Sequence, residues 1–172
     1  MAYDWLKQET APKLLKQAVS HLGVKEFVGP THNPVILDWA KALGLSTIYT
    51  NDEIPWCGLF VAYCCHAEGL QVVERPLWAL NWAKYGTAVS EPMLGDILTF
   101  KRDGGGHVGI YVGEDAKYYH VLGGNQSNSV SVTRIAKNRL HQARRTAWKV
   151  AQPANVRKVF LEAKGNVSTN EQ

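Results

Sequence analysis

Residues 95–112 read GDILTFKRDGGGHVGIYV, and within them the chain changes its period. Upstream, apolar residues recur at the three- and four-residue spacing of helices. From Ile97 onward they alternate in twos. In His107–Val112, Val108, Ile110 and Val112 fall on one face, with His107, Gly109 and Tyr111 on the other. Strands are expected at Ile97–Lys101, His107–Val112, Lys117–Leu122, Val130–Ile135 and Arg144–Trp148. The connections between them are too short for crossover helices, so the sheet is antiparallel.

The upstream half carries helix grammar. One helix is expected over Pro12–Leu22, stopped by Gly23; a second is capped by Asn33, opened by Pro34 and closed at Gly44. A third runs from about Pro55 to Gly69, with Cys57, Phe60, Val61, Cys64 and Cys65 on one face, and a fourth from Pro76 to Tyr85. Near the end, Val156, Val159, Phe160 and Ala163 share a helical face over Pro153–Lys164, followed by a frayed tail from Gly165. The fold class is α+β: N-terminal helices packed on a small antiparallel sheet. Residues 1–150 form one domain, and 151–172 a C-terminal helix and tail.

A chain of 172 residues can bury a core without disulfides, and the three cysteines, two of them adjacent, make no disulfide framework. Net charge is +4 and the pI about 9.0, which suits an anionic partner without selecting one. No basic run interleaved with aromatics points to nucleic acid. No apolar stretch reaches membrane-span length, so no membrane insertion is expected. The opening residues lack the regions of a signal peptide, so synthesis in the cytoplasm is expected.

The chemistry rests on Cys57. A nucleophilic cysteine must be a thiolate, and the first turn of a helix lowers its pKa through the dipole and the unpaired N–H groups. Cys57 occupies that place two residues after Pro55; Cys64 and Cys65, two turns later, do not. A free cysteine is more often a small buried hydrophobe, so a base is required. His107 opens a strand beside Gly109, which leaves room for another group. With a three-residue hairpin at Glu114-Asp115-Ala116, His107 faces Gly123, and Asn125 lies diagonally within hydrogen-bonding reach. An amide oxygen there can accept the imidazole N–H and fix the tautomer. In the same register His120 opposes Ile110 and points away.

These segments, namely Pro55-Trp56-Cys57-Gly58-Leu59-Phe60-Val61, Gly95–Phe100, His107–Gly113 and Gly123-Gly124-Asn125-Gln126, occur in this order in CHAP-like and NlpC-type cysteine peptidases. The chain resembles a bacterial and bacteriophage subgroup of CHAP-like peptidoglycan hydrolases, over roughly Lys13 to Trp148. The resemblance implies a papain-like fold and cleavage of an amide bond in the peptidoglycan stem peptide or at the muramoyl–alanine junction. It implies Cys57 as nucleophile, His107 as base and Asn125 as the orienting residue, the Cys-His-Asn form of the triad. Trp56 stands where many relatives carry Asp or Gln, so a Gln side chain is missing there for the oxyanion. The acidic residue that some CHAP domains add is matched only by Glu114 and Asp115, in the expected turn.

Around this centre, Trp56 is expected as a substrate wall, with Glu53 and Gln126 as further substrate contacts; Asp52 reads as a helix-start acid. Trp78, Trp82 and Tyr85 form a stripe that reads as core. Cys64-Cys65-His66 lacks paired-ligand spacing, so neither a metal nor a cofactor is expected. The expected partner is peptidoglycan, reached by holin release, particle delivery or injection, and the C-terminal helix could dock a phage-particle or secretion partner. The competing class is a non-catalytic structural or binding component of a phage particle that keeps the fold.

Overall fold

A computed structural model describes residues 2–171. Three α-helices precede the sheet: α1 (Lys13–Val19), α2 (Pro34–Ala42) and α3 (Cys57–Ala67). Asn33 caps α2, its side chain accepting from the Val35 N–H at 2.9 Å, with Pro34 in the first turn. The expected fourth helix is a 3-10 helix, Ala79–Lys84. Of its apolar stripe only Trp82 and Tyr85 are buried, while Trp78 is exposed.

Seven strands follow: β1 (Thr87–Ala88), β2 (Ile97–Arg102), β3 (Gly105–Glu114), β4 (Tyr118–Gln126), β5 (Ser129–Ala136), β6 (Leu140–Arg145) and β7 (Val167–Ser168). They form one sheet in the order β1-β6-β2-β3-β4-β5-β7, antiparallel except where β7 runs parallel to β5. The last predicted strand lies earlier than expected, ending at Arg145.

The sheet buries side chains on both faces. Ile97, Val108, Ile110, Val112 and Leu122 pack with the helices, while Leu98, Phe100, Tyr111, Val121 and Ile135 form a second cluster on the other side. The helix α3 is the hub. Eight of its eleven residues are buried, including Cys57, Cys64 and Cys65, so it is apolar all round rather than on one face, as suits a helix enclosed by other elements. Two glycines set its distances. A Cβ on Gly58 would stand 2.1 Å from the Pro76 carbonyl oxygen, and one on Gly124 2.7–2.9 Å from Phe60 and the Trp56 ring. The Pro76–Leu77 segment and β4, both later in the chain, can therefore close on its first turn only because a glycine stands at each contact.

Two expectations about the chain's end fail. Residues 153–164 form no helix; they run extended along the end of β3, where Glu114 N–H donates to the Val159 carbonyl at 2.8 Å and Leu161 N–H to the Glu114 carbonyl at 2.8 Å. The apolar residues that mimic a helical face are used differently: Val156 is buried, whereas Phe160 is exposed. Nor is 165–171 frayed, since β7 joins the sheet and Glu171 is buried. Among the described residues no helix is long and apolar enough to cross a membrane.

The β3–β4 turn is tied by Asp115. Its carboxylate accepts from the N–H groups of Lys117 and Tyr118, from His120 Nε2 at 2.9 Å and from Arg134 Nε at 2.9 Å. Burial alone would raise this carboxyl; the N–H groups, His120 and Arg134 outweigh it and hold the group well below the usual carboxylate range. A depressed folded-state pKa contributes stability that is complete above the unfolded value, about 3.9, and is lost as pH falls toward the folded one. Asp115→Asn should therefore lower the urea midpoint at pH 7, with the gap to wild type closing as the medium is acidified below about pH 4. Gly58→Ala, a change worth up to about 1 kcal/mol of stabilisation in an open helix, should instead cost roughly 1–3 kcal/mol in thermal denaturation, because the Pro76 backbone cannot yield cheaply.

Candidate active site

Cys57 is the first residue of α3, after Trp56 as N-cap. The first intrahelical bond is Phe60 N–H to the Trp56 carbonyl at 3.0 Å, so the N–H groups of Cys57, Gly58 and Leu59 lie at the open, positive end of the helix. His107 stands near the start of β3, paired with Phe100 of β2 and ring-stacked on it at 6.5 Å. The fold brings the two together: the Cys57 thiol and the His107 imidazole are hydrogen-bond partners. The Val108 and Gly58 N–H groups also reach the sulfur.

Both groups are buried, and burial opposes their charged forms. For Cys57, burial would raise the pKa; the hydrogen bond and positive charge of His107, with the two N–H groups, outweigh it and bring the thiol down. For His107, burial would lower the pKa; the hydrogen bond and negative charge of Cys57, with contributions from Glu171 and Gln126, outweigh it and bring the imidazole up. Opposite displacements of two touching groups favour the thiolate–imidazolium form of the pair. Cys64 and Cys65 go the other way: burial, with the charges of Cys65 and Glu68, pushes Cys64 well above its ordinary value, and burial pushes Cys65 up to about 12 against a hydrogen bond with Tyr85.

The acceptor for the imidazole is Gln126, not Asn125. His107 Nε2 lies 2.9 Å from Gln126 Oε1, while the Gln126 amide nitrogen donates to the Val121 carbonyl at 3.1 Å and the Ser131 carbonyl at 2.7 Å. Both amide hydrogens are committed to carbonyls, so the oxygen must face the ring, and Nε2 must be the donor. The other ring nitrogen is left for the thiol. Gln126, expected as a substrate contact, is 2% exposed and belongs to this relay.

Strand parity explains the exchange. On β5, Ser129 and Ser131 are two residues apart and share a face, yet their β4 partners Gln126 and Gly123 are three apart. The extra residue is a β-bulge, with Asn125 at φ 57°, and it carries Gln126 onto the face that Gly123 occupies. A Cβ on Gly123 would lie 2.6 Å from Gln126 Oε1 and 3.3 Å from His107 Nε2. Ser127 and Asn128, both at positive φ, complete a two-residue hairpin turn. The β3–β4 register also differs from expectation. Ile110 pairs with Leu122, a second bulge lies between Tyr111 and Gly113, and His120 pairs with Gly113 rather than Ile110. Asn125 itself is buried beside the site, at 7% exposure.

Trp56 is not a cleft wall. It is fully buried, its indole N–H donates to Glu26 Oε2 at 3.0 Å, and its ring packs near Trp39. Glu53 is exposed on the loop before α3, its backbone N–H bound to Asn51 Oδ1. Asp52 is a structural anchor: fully buried, it accepts from the N–H groups of Phe27 and Asn33 at 2.8 Å each and from His32 Nδ1 at 3.0 Å. Glu114 bonds Tyr111 and Lys137, so it is turned to other partners. Among the described residues no cluster of His, Cys, Asp and Glu could hold a metal ion.

Residues 49–125 match the family model of the CHAP domain. No curated protein matches the chain. The matched segment starts just before the loop that leads into α3, takes in Cys57 and His107 and ends at Asn125, one residue short of Gln126. Helix, sheet and match agree with the resemblance read from the sequence: the chain is CHAP-like, its α+β fold is papain-like, and residues 49–125 are similar to a domain that is generally one of hydrolytic cysteine peptidases and amidases.

Proposed function

We propose that the protein is an endolysin-like peptidoglycan hydrolase that cleaves an amide bond of the stem peptide, or the muramoyl–alanine bond, through a Cys57 acyl-enzyme. It acts at the cell wall, which it reaches by holin release, particle delivery or injection. The carrying observation is the buried Cys57–His107–Gln126 relay, with thiol and imidazole displaced in opposite directions. Residues 1–150 form the catalytic domain, and the extended segment 151–171 lies against it, with no helix there to dock a phage-particle or secretion partner.

The geometry supports each step. Of the three side chains, Cys57 is the most open, at 6% against 1% for His107 and 2% for Gln126, so a substrate carbonyl meets the sulfur first. The thiolate attacks the amide carbon, and the oxygen that gains charge is met by the free N–H groups at the start of α3. The imidazolium gives its proton to the leaving amine. Neutral His107 then takes a proton from water, which attacks the thioester and releases the acid. Gln126 holds the ring in one orientation throughout, because its own amide is fixed to two strand carbonyls. Glu53, exposed on the loop before α3, meets a cationic group of the stem peptide in this reading.

Cys57→Ala and His107→Ala should each abolish release of muropeptides from purified peptidoglycan while circular dichroism and melting stay near wild type. Muropeptide mass spectrometry with the wild type identifies the bond. Gln126→Ala should lower kcat by about ten- to a hundred-fold, the scale of a lost orienting contact, with a smaller effect from Asn125→Ala. Equal losses in both variants would remove Gln126 from this role. Activity should hold between the lowered Cys57 pKa and the raised His107 pKa and fall on either side. Undiminished hydrolysis by Cys57→Ala would end the mechanism, and a wild type inert to both substrate and thiol reagents would favour a non-catalytic particle component.

A further inference from the structure

The segment after β7 ends at the same place as the relay. Arg139 Nη1 and Nη2 bind the two carboxylate oxygens of Glu171 at 2.9 and 2.8 Å, and the same guanidinium donates to the Ser168 and Lys101 carbonyls. Arg102 donates through Nη1 to Asn170 Oδ1 at 3.3 Å and through Nε to the Gly106 carbonyl at 3.1 Å. Lys101 pairs with Gly106, and Phe100 with His107. Two arginines thus fasten Asn170 and Glu171 to the strand ends that carry His107. The Glu171 side chain is closed to solvent, and a carboxylate in such a place is costly unless it has a function or a firm partner.

We propose that Glu171 is a positioning residue for the Cys57–His107 pair, held by Arg139 beside the end of β2 and the start of β3 so that its carboxylate supplies counter-charge to the His107 imidazolium. This rests on the reading of Cys57 and His107 given above and deepens it. Glu171 is the member of the clasp whose charge His107 registers: it raises the imidazole, after Cys57, and His107 in turn helps to lower Glu171. Burial by itself would raise Glu171; Arg139, His107 and Ser168 outweigh it and keep the group anionic. The neighbours that bear on His107 are few. Cys57 comes from α3, the neutral Gln126 from β4 and Phe100 from β2, while Glu171, Arg139 and Arg102 lie on the clasp side. Asp103, in the β2–β3 turn, acts on Arg139. A charge sealed from water acts on its neighbours far more strongly than one at the surface.

The sign follows. With Glu171 ionised, the imidazolium survives to higher pH, so the alkaline limb of activity stands higher than the relay alone would set it. In Glu171→Gln that support is lost while the shape and much of the hydrogen bonding to Arg139 remain. The test is titration of His107 by NMR in protein labelled at histidine Cε1, with the resonance assigned from His107→Gln, alongside the pH profile of kcat/KM on purified peptidoglycan. In Glu171→Gln the His107 midpoint should fall by about one pH unit, the scale of one nearby charge. The alkaline limb should follow, so that the rate one pH unit above the wild-type midpoint drops about ten-fold while the rate one unit below it stays within about two-fold of wild type. Glu171→Asp, which keeps the charge, should restore most of the limb. Should the single variant not fold, the double variant Arg139→Gln, Glu171→Gln leaves no lone buried cation, and its His107 midpoint should also fall. A midpoint unchanged in the folded Gln variant, with only the melting temperature lowered, would make Glu171 a structural clasp and overturn the inference. The NMR midpoint needs no substrate, so a chain that shows the shift but hydrolyses nothing would overturn the proposed function and leave the role of Glu171 standing.

Discussion

A buried thiol and a buried imidazole are each poor at their task when alone, because a low-dielectric surrounding disfavours thiolate and imidazolium alike. Placed in contact, each supplies the charge that the other lacks, and the burial that opposed them strengthens their attraction. The rest of this structure depends on that contact between Cys57 and His107. It must be short and dry, and it must be held by elements far apart in the chain, a helix start and a strand end separated by fifty residues of sequence. Cys64 and Cys65 sit in the same helix, just as deeply buried, and without an imidazole they are driven the other way.

Contact of this kind is secured by what is left out as much as by what is present. The first turn of α3 is approached from one side by Pro76 and Leu77 across Gly58, and from the other by Gly124 against Trp56 and Phe60. A methyl group at either glycine would wedge the layers apart, and the sulfur rides on the same turn. Trp56 acts here as filler under the nucleophile, anchored by Glu26. Asp52 does the same for the preceding loop by gathering Phe27, His32 and Asn33. Residues that precede Cys57 in sequence are thus used for rigidity, while Glu53 stays exposed.

Much of this was legible in the sequence, for identifiable reasons. The Asn33 cap of α2 and the glycine stops after α2 and α3 follow local rules, and a helix start at Cys57 needs only Pro55 and the apolar run after it. The alternation after Ile97 gave the antiparallel sheet, and His107 was marked by its position at a strand opening. The third member was not legible. The choice between Asn125 and Gln126 depends on strand parity, and parity here is reversed by a bulge at Asn125 that no spacing rule announces. The signal lay in Gly123-Gly124-Asn125, where residues tolerant of unusual backbone cluster before the turn. The tail was misread for a different reason. Val156, Val159, Phe160 and Ala163 sit at helical spacing, yet the backbone groups of that segment find partners on Leu94 and Glu114 instead, and periodicity carries no information about such partners. Glu171 was invisible because its role comes entirely from Arg139 and the strand ends it reaches.

The two buried histidines of the sheet show why the neutrality of Gln126 matters. His120 is held between Tyr3 Oη at 2.7 Å and Asp115 at 2.9 Å, with Arg134 on the same carboxylate. Its environment contains a full ion pair already, and burial prevails: the imidazole is lowered, against the pull of Asp115. His107 is bound instead by an uncharged amide, which orients the ring without neutralising it. An imidazolium formed there keeps its charge for the thiolate, its hydrogen-bond partner, and for the clasped carboxylate. Replacing that amide by a carboxylate in direct contact would strengthen the imidazolium but spend its charge on the wrong partner, and would make the proton harder to give to a leaving amine. A glutamine in contact and a glutamate one layer away divide the work of orientation and charge between two residues, where His120 and Asp115 combine both in one bond and are left with a locked structural pair.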